Sequence, residues 1–126
     1  MVLKRIALTM IVISLAVVSC DRIDTGREVM VRIGETHKVS WNLSFTIDSI
    51  RDYRCPTDII CIWPGDVDLF FDFGKTDELV RLIDTNYNPT SIEGYTIQII
   101  DIKPYPVSDI IVEQKDYEIT LRIDKE

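Results

Sequence analysis

The stretch Val67-Asp-Leu-Phe-Phe-Asp-Phe73 puts Val67, Leu69, Phe71 and Phe73 at alternate positions, with Asp68 and Asp72 between them. Side chains of a strand point alternately to opposite faces, so this period of two buries one face of a strand and gives no continuous helical stripe. Tyr117, Ile119, Leu121 and Ile123 repeat the pattern against Glu118, Thr120 and Arg122, and Leu43, Phe45 and Ile47 repeat it against Ser44, Thr46 and Asp48. Shorter apolar runs at 28–33, 38–41 and 78–84 read as further strands, as does the long run 95–103. In that last run the phase slips between Ile99 and Ile100, which predicts a bulge or burial on both faces. Residues 84–91 are polar and contain Pro89, so they read as a loop, and Pro104-Tyr105-Pro106 ends the preceding strand. No segment after residue 20 has a helical period. About seven short strands predict an all-β fold, a single antiparallel β-sandwich of the immunoglobulin-like kind.

The first twenty residues have a different character. Lys4 and Arg5 precede an apolar run from Ile6 to Val18, broken only by Thr9 and Ser14. That run is too short to span a bilayer, which takes ~20 residues. A charged start, a short apolar core and a small residue at the end form a secretory signal peptide. Val17-Val18-Ser19-Cys20 resembles the lipobox of bacterial lipoproteins. The resemblance implies cleavage after Ser19 and a diacylglyceryl thioether on Cys20, with further acylation of the new amine. One acyl chain anchors only marginally, whereas several hold a protein stably at a membrane. The expected organisation is a signal peptide at 1–19, a lipidated Cys20 with a polar tether at 20–27, and one β domain at 28–126. Without Lys4 and Arg5 the chain has 12 Lys and Arg against 21 Asp and Glu, a net charge of −9. Such a surface lacks the cationic footprint that nucleic acid requires. The expected location is the bacterial cell envelope, on the periplasmic face or the cell surface, with the membrane engaged through the lipid.

With Cys20 assigned to lipid, Cys55 and Cys61 remain, on the connection between the strands ending near Ile50 and beginning near Val67. In an oxidising compartment two such cysteines pair, and a structural disulfide is the expectation. A labile redox pair is the first rival, but the C-x-x-C spacing and the βαβ context it favours are missing. Zinc is the second, and it asks for four ligands where the chain has two thiols and His37. Arg54-Cys55-Pro56, four residues, Cys61, one residue, Trp63, one residue, Gly65 resembles a group of small uncharacterised bacterial lipoproteins and secreted domains with an RCP-x4-C-x-W-x-G-like core. Gly94-Tyr95, Pro104-Tyr105-Pro106 and Asp116-Tyr117 extend the likeness over most of residues 40–125. It implies a small β-sandwich and brings no activity, cofactor or catalytic residue.

Trp63 and Trp41 could form an aromatic ligand platform, but a tryptophan beside a disulfide more often packs in the core, and core is the expectation for Trp63. Asp66, Asp68 and Asp72 occupy one strand face and suggest calcium, but a strand row does not converge as six to eight ligands must, so they read as solvated. His37 is the one histidine, which leaves no second for a triad, and neither a nucleophile-elbow serine nor a glycine-rich phosphate loop is present. No catalytic residue, metal or cofactor is therefore expected. Tyr87 and Tyr105, on the connections 85–94 and 104–115, join Trp63 as binding candidates, because loops on a rigid sandwich carry contacts. The expected function is a non-catalytic binding or interaction module for an envelope protein or glycan. The alternative is an envelope hydrolase inhibitor or enzyme accessory protein that uses the stapled loop 55–61.

Overall fold

A computed structural model describes residues 22–82 and 89–126. Cys20, the signal segment and Tyr87 lie outside the described residues. Eight strands form two four-stranded antiparallel sheets packed as a sandwich. The strands are β1 (Glu28–Val31), β2 (Thr36–Ser40), β3 (Leu43–Asp52), β4 (Val67–Asp72), β5 (Asp77–Arg81), β6 (Thr90–Ile92), β7 (Tyr95–Lys103) and β8 (Glu118–Lys125). One sheet has the order β2-β3-β4-β5 and the other β1-β8-β7-β6.

The sandwich is the architecture expected, but its strand order is a meander. An immunoglobulin domain interleaves its strands by Greek-key connections. Here every hydrogen-bonded pair except β1–β8 joins consecutive strands. Short connections favour this order, because each strand pairs with the one it has just left.

The core lies between the alternating inner faces. Phe45, Ile47, Leu69 and Phe71 from one sheet meet Ile97, Ile99, Ile119, Leu121 and Ile123 from the other, all buried. Phe71 and Phe73 stack with ring centroids 5.6 Å apart, and Phe45 lies 5.5 Å from Phe71. The phase slip in β7 is a bulge: the β7–β8 register shifts between Ile99 and Asp101, so that Ile99 and Ile102 both point inward. A second bulge shifts β3 against β4 between Ile47 and Ser49 and turns Ile50 inward after Ile47. Without these bulges the apolar faces of both strands would swing outward halfway along.

The strand β6 falls partly in the segment read as loop. Only three residues long and built from Thr90, Ser91 and Ile92, it has little periodic signal. The hairpin turn Glu93-Gly94 fixes it, with both residues at positive φ, 48° and 80°, as a type I′ turn requires. The segment read as tether also enters the fold. Ile23 is 6% exposed and belongs to the core, Ile23 N–H donates to Lys38 O at 2.8 Å, and Gly26 N–H donates to Ile123 O at 2.8 Å. These two bonds join the incoming chain to both sheets. Among the described residues no helix is long and apolar enough to cross a membrane.

Candidate interaction site at the stapled end

The connections β3–β4 and β7–β8 emerge at the same end of the sandwich. Cys55 and Cys61 form a disulfide with Cα atoms 6.0 Å apart. Closing so short a loop limits the unfolded chain by on the order of 2 kcal/mol, and its larger effect is local. With Cys55 N–H bound to Pro64 O at 2.8 Å, the two arms of the connection are clamped, and residues 57–63 are held beyond the strand ends.

Arg54 fixes this loop to the opposite sheet. Its side chain is 10% exposed, and its guanidinium pairs with the Asp52 carboxylate, whose side chain is 4% exposed, at 2.8 Å. A second guanidinium bond reaches the same carboxylate from Nε at 2.9 Å. The remaining N–H groups donate to Ile102 O at 2.8 Å and Pro104 O at 3.0 Å, at the end of β7. The planar group also lies 5.0 Å from the Tyr105 ring centroid. Tyr117 Oη donates to Asp52 Oδ2 at 3.3 Å; burial, and then the Asp52 charge and hydrogen bond, push the Tyr117 phenol up from its ordinary value. Only a planar, multiply donating cation fills this position, which gives the arginine of the motif a structural role.

Gly65 has an equally specific role. Its φ is 73°, and a Cβ there would stand 2.0 Å from Tyr53 O. The chain passes its own incoming strand too closely for any side chain before it enters β4.

The second connection is tied to the first and to β3. Thr57 N–H donates to Pro106 O at 3.0 Å. Asp58 accepts from Ser108 N–H at 2.9 Å and from the Ser108 hydroxyl, and those two bonds hold the Asp58 carboxyl below its ordinary range. Gln114, on a single 3-10 turn (Gln114–Asp116), mimics a strand neighbour: Ile50 N–H donates to its Oε1 at 2.8 Å, and its Nε2 donates to Ile50 O at 3.0 Å. Both loops are thereby braced against both sheets.

What this frame presents is apolar. Ile60, Ile62 and Ile111 are fully or almost fully exposed, Ile59 and Ile110 are at least half exposed, and Trp63 is 58% exposed. The expectation that Trp63 packs in the core is corrected. The core is filled by side chains on the strands, whereas Trp63 sits on a connection that the staple holds outside. Its ring lies 6.2 Å from that of Tyr53. Tyr105 shares this end, half exposed, and donates to Asp101 Oδ1 at 2.7 Å. That bond and the Asp101 charge raise its phenol above its ordinary value. An open recess of about 370 Å³ lies between Arg54, Cys55, Pro64, Gly65, Tyr105 and Pro106.

The solvated reading of Asp66 and Asp68 is also corrected. Both are buried. Asp66 accepts from Val67 N–H at 2.7 Å. Asp68 lies on the outer face of its sheet but is only 1% exposed, covered by Arg51 at 2.5 Å and Arg81 at 3.1 Å. Tyr53 Oη also donates to it at 3.1 Å. Burial raises the Asp68 carboxyl, and the bonds from Arg51, Tyr53 and Arg81 together overcome this and lower it below its ordinary value. The carboxylates that converge are instead Asp48, Asp72 and Asp77, within 4.8 Å of one another on the same outer face. His37 is away from the stapled end, on β2, with its ring 5.6 Å from Phe45 and Nε2 3.4 Å from Glu35.

Two signals in the sequence point to this site. Ile59-Ile60-Cys61-Ile62 and Ile110-Ile111-Val112 are apolar runs on connections, where no strand partner can cover them. Comparison with known proteins found no matching family model, no matching curated protein and no matching solved structure.

Proposed function

We propose that this protein is a lipid-anchored lipoprotein of the bacterial envelope and acts as a non-catalytic interaction module. The observation that carries this reading is the stapled end: a braced pair of loops displaying isoleucines and a tryptophan to solvent. Exposed apolar side chains on a rigid frame suit association with a partner rather than a reaction. The anchor follows from the lipobox-like Val17-Val18-Ser19-Cys20. Trp63 and Tyr105 at the same end also suit an envelope glycan, which stacks on aromatic faces.

Mass spectrometry of the membrane-extracted protein tests the anchor. The expected species begins at an acylated Cys20, and an intact N-terminal segment or a bare Cys20 thiol refutes it. The interaction role is tested by deletion of residues 57–63 in the full chain. The strain carrying the deleted form is expected to show the same envelope phenotype as the null strain, and full complementation by the deleted form refutes the reading.

A second reading, inhibition of an envelope hydrolase, is favoured by the protrusion of the loop 55–61, whose tip residue Ile60 is fully exposed, as is Ile62 just after it. Replacing Thr57–Ile60 abolishes inhibition across a hydrolase panel if this reading holds.

A further inference from the structure

The chemistry of the stapled end narrows the partner. We propose that loops 53–66 and 104–116 form a preformed wedge that enters an apolar groove with a basic rim on another protein, with Ile60 and Ile62 as its leading edge. This rests on the interaction reading above and is independent of acylation at Cys20.

Three observations carry it. The first is rigidity. The disulfide, the Thr57–Pro106 bond, the Asp58–Ser108 pair and the Gln114 clamp on Ile50 fix both loops before any partner arrives. Association then orders few groups, and the apolar contact is not offset by loop entropy. The second is the concentration of aliphatic side chains. Ile59, Ile60, Ile62, Ile110 and Ile111 are exposed on two loops that the bonds from Ser108 to Asp58 tie to each other. Branched aliphatic groups fill a shaped apolar groove, and a desolvated centre of this kind is where interface energy concentrates.

The third is charge. The two loops expose the carboxylates Asp58, Asp109, Glu113 and Asp116, with Asp66 buried, against two cations, Arg54 and Lys115. Arg54 is bound to Asp52, and Lys115 pairs with Glu113 at 3.2 Å. The rim of the wedge is therefore acidic. Segments that enter lipid surfaces carry Lys and Arg beside their apolar groups, so an anionic bilayer repels this end. A second copy would bring two acidic rims together, within a chain that has 12 basic and 21 acidic residues after position 19. A basic-rimmed groove on a different protein satisfies both the apolar centre and the acidic edge.

The test places a photoreactive phenylalanine analogue at Ile60, and separately at Ile111, in the full chain made in its own cells. Leu79, exposed within the edge strand β5, is the control position. The expected result is one adduct with the same other protein from both tip positions and none from Leu79. With that protein purified, Ile60→Asp is expected to weaken binding by about 30-fold, the ratio for a hot spot of about 2 kcal/mol. Leu79→Asp leaves binding unchanged, and added salt weakens it. Lipid adducts, adducts of twice the chain's own mass, absence of adducts, or insensitivity to Ile60→Asp each overturn the wedge. Ile111→Asp serves as the second variant, and an unchanged near-ultraviolet circular dichroism spectrum certifies the fold. The mass at Cys20 is read in the same sample: an acylated chain without an adduct sinks the wedge and spares the anchor, and a bare Cys20 with the adduct does the reverse.

Discussion

Replacing Arg54 by methionine removes the cation from a carboxylate, Asp52, that is 4% exposed. The side chain left behind cannot donate to Asp52, nor to Ile102 O at the end of β7. Breaking a buried ion pair from one side costs roughly 3–5 kcal/mol, because the remaining charge keeps its desolvation and loses its partner. A domain of this size has about 5–15 kcal/mol in total, so the loss is a large fraction of its stability. At about 4–8 °C per kcal/mol, Tm falls by at least about 12 °C. The assay is equilibrium guanidinium unfolding of the disulfide-intact chain, in which the midpoint shifts and the slope stays constant. The second arm is Asp52→Asn with Arg54→Met, which leaves no buried charge while the Asn oxygen still accepts from Tyr117. Its expected loss is about 1–3 kcal/mol, the cost of the unsatisfied Ile102 carbonyl. A double variant as unstable as Arg54→Met, or a loss below about 1 kcal/mol for Arg54→Met itself, refutes the assignment of Arg54 as the tie between loop and sheet.

Gly65→Ala places a Cβ 2.0 Å from Tyr53 O at φ 73°, whereas Gly74→Ala, at φ 81°, meets nothing within 4 Å. Both incur the left-handed penalty of ~1–2 kcal/mol, so Gly65→Ala lowers Tm clearly more, and equal effects refute the close approach. Asp68 has a folded pKa below its unfolded value of 3.8. Its contribution is therefore present above that value and lost as pH falls through the folded pKa. Unfolding free energy of Asp68→Asn is expected to be less pH-dependent than that of the parent below pH ~4, and parallel pH profiles refute this. Replacing Cys55 and Cys61 together by serine costs on the order of 2 kcal/mol and opens residues 57–62 to proteolysis. An unchanged cleavage rate shows that the hydrogen bonds to Pro106 and Ser108 hold the loop alone.

Much of the sandwich was legible because alternation is a local property. The strand Tyr95–Lys103 and its bulge follow from the order of apolar residues in a single segment, as do the inward faces of β4 and β8. The strand β6 was not legible, since its pairing depends on backbone bonds to β7 rather than on its own side chains. Asp68 could be assigned to the outer face of β4 from its phase. Its burial could not, because the groups that cover it, Arg51 and Arg81, come from the two neighbouring strands. Trp63 was misplaced for a related reason: size and apolarity favour burial, but only the path of the chain decides whether a core lies within reach.

The sequence by itself determined which residues must share a sheet face and which two cysteines remain to pair once Cys20 is set aside. These are matters of spacing and arithmetic along one chain. The tertiary structure decided that Asp52 and Arg54 form a buried tie to β7, that Gln114 completes β3, and that Ile60, Ile62 and Ile111 are exposed on two loops bonded to each other. Each depends on two connections about fifty residues apart emerging at one end of the sandwich, and no local pattern encodes that meeting.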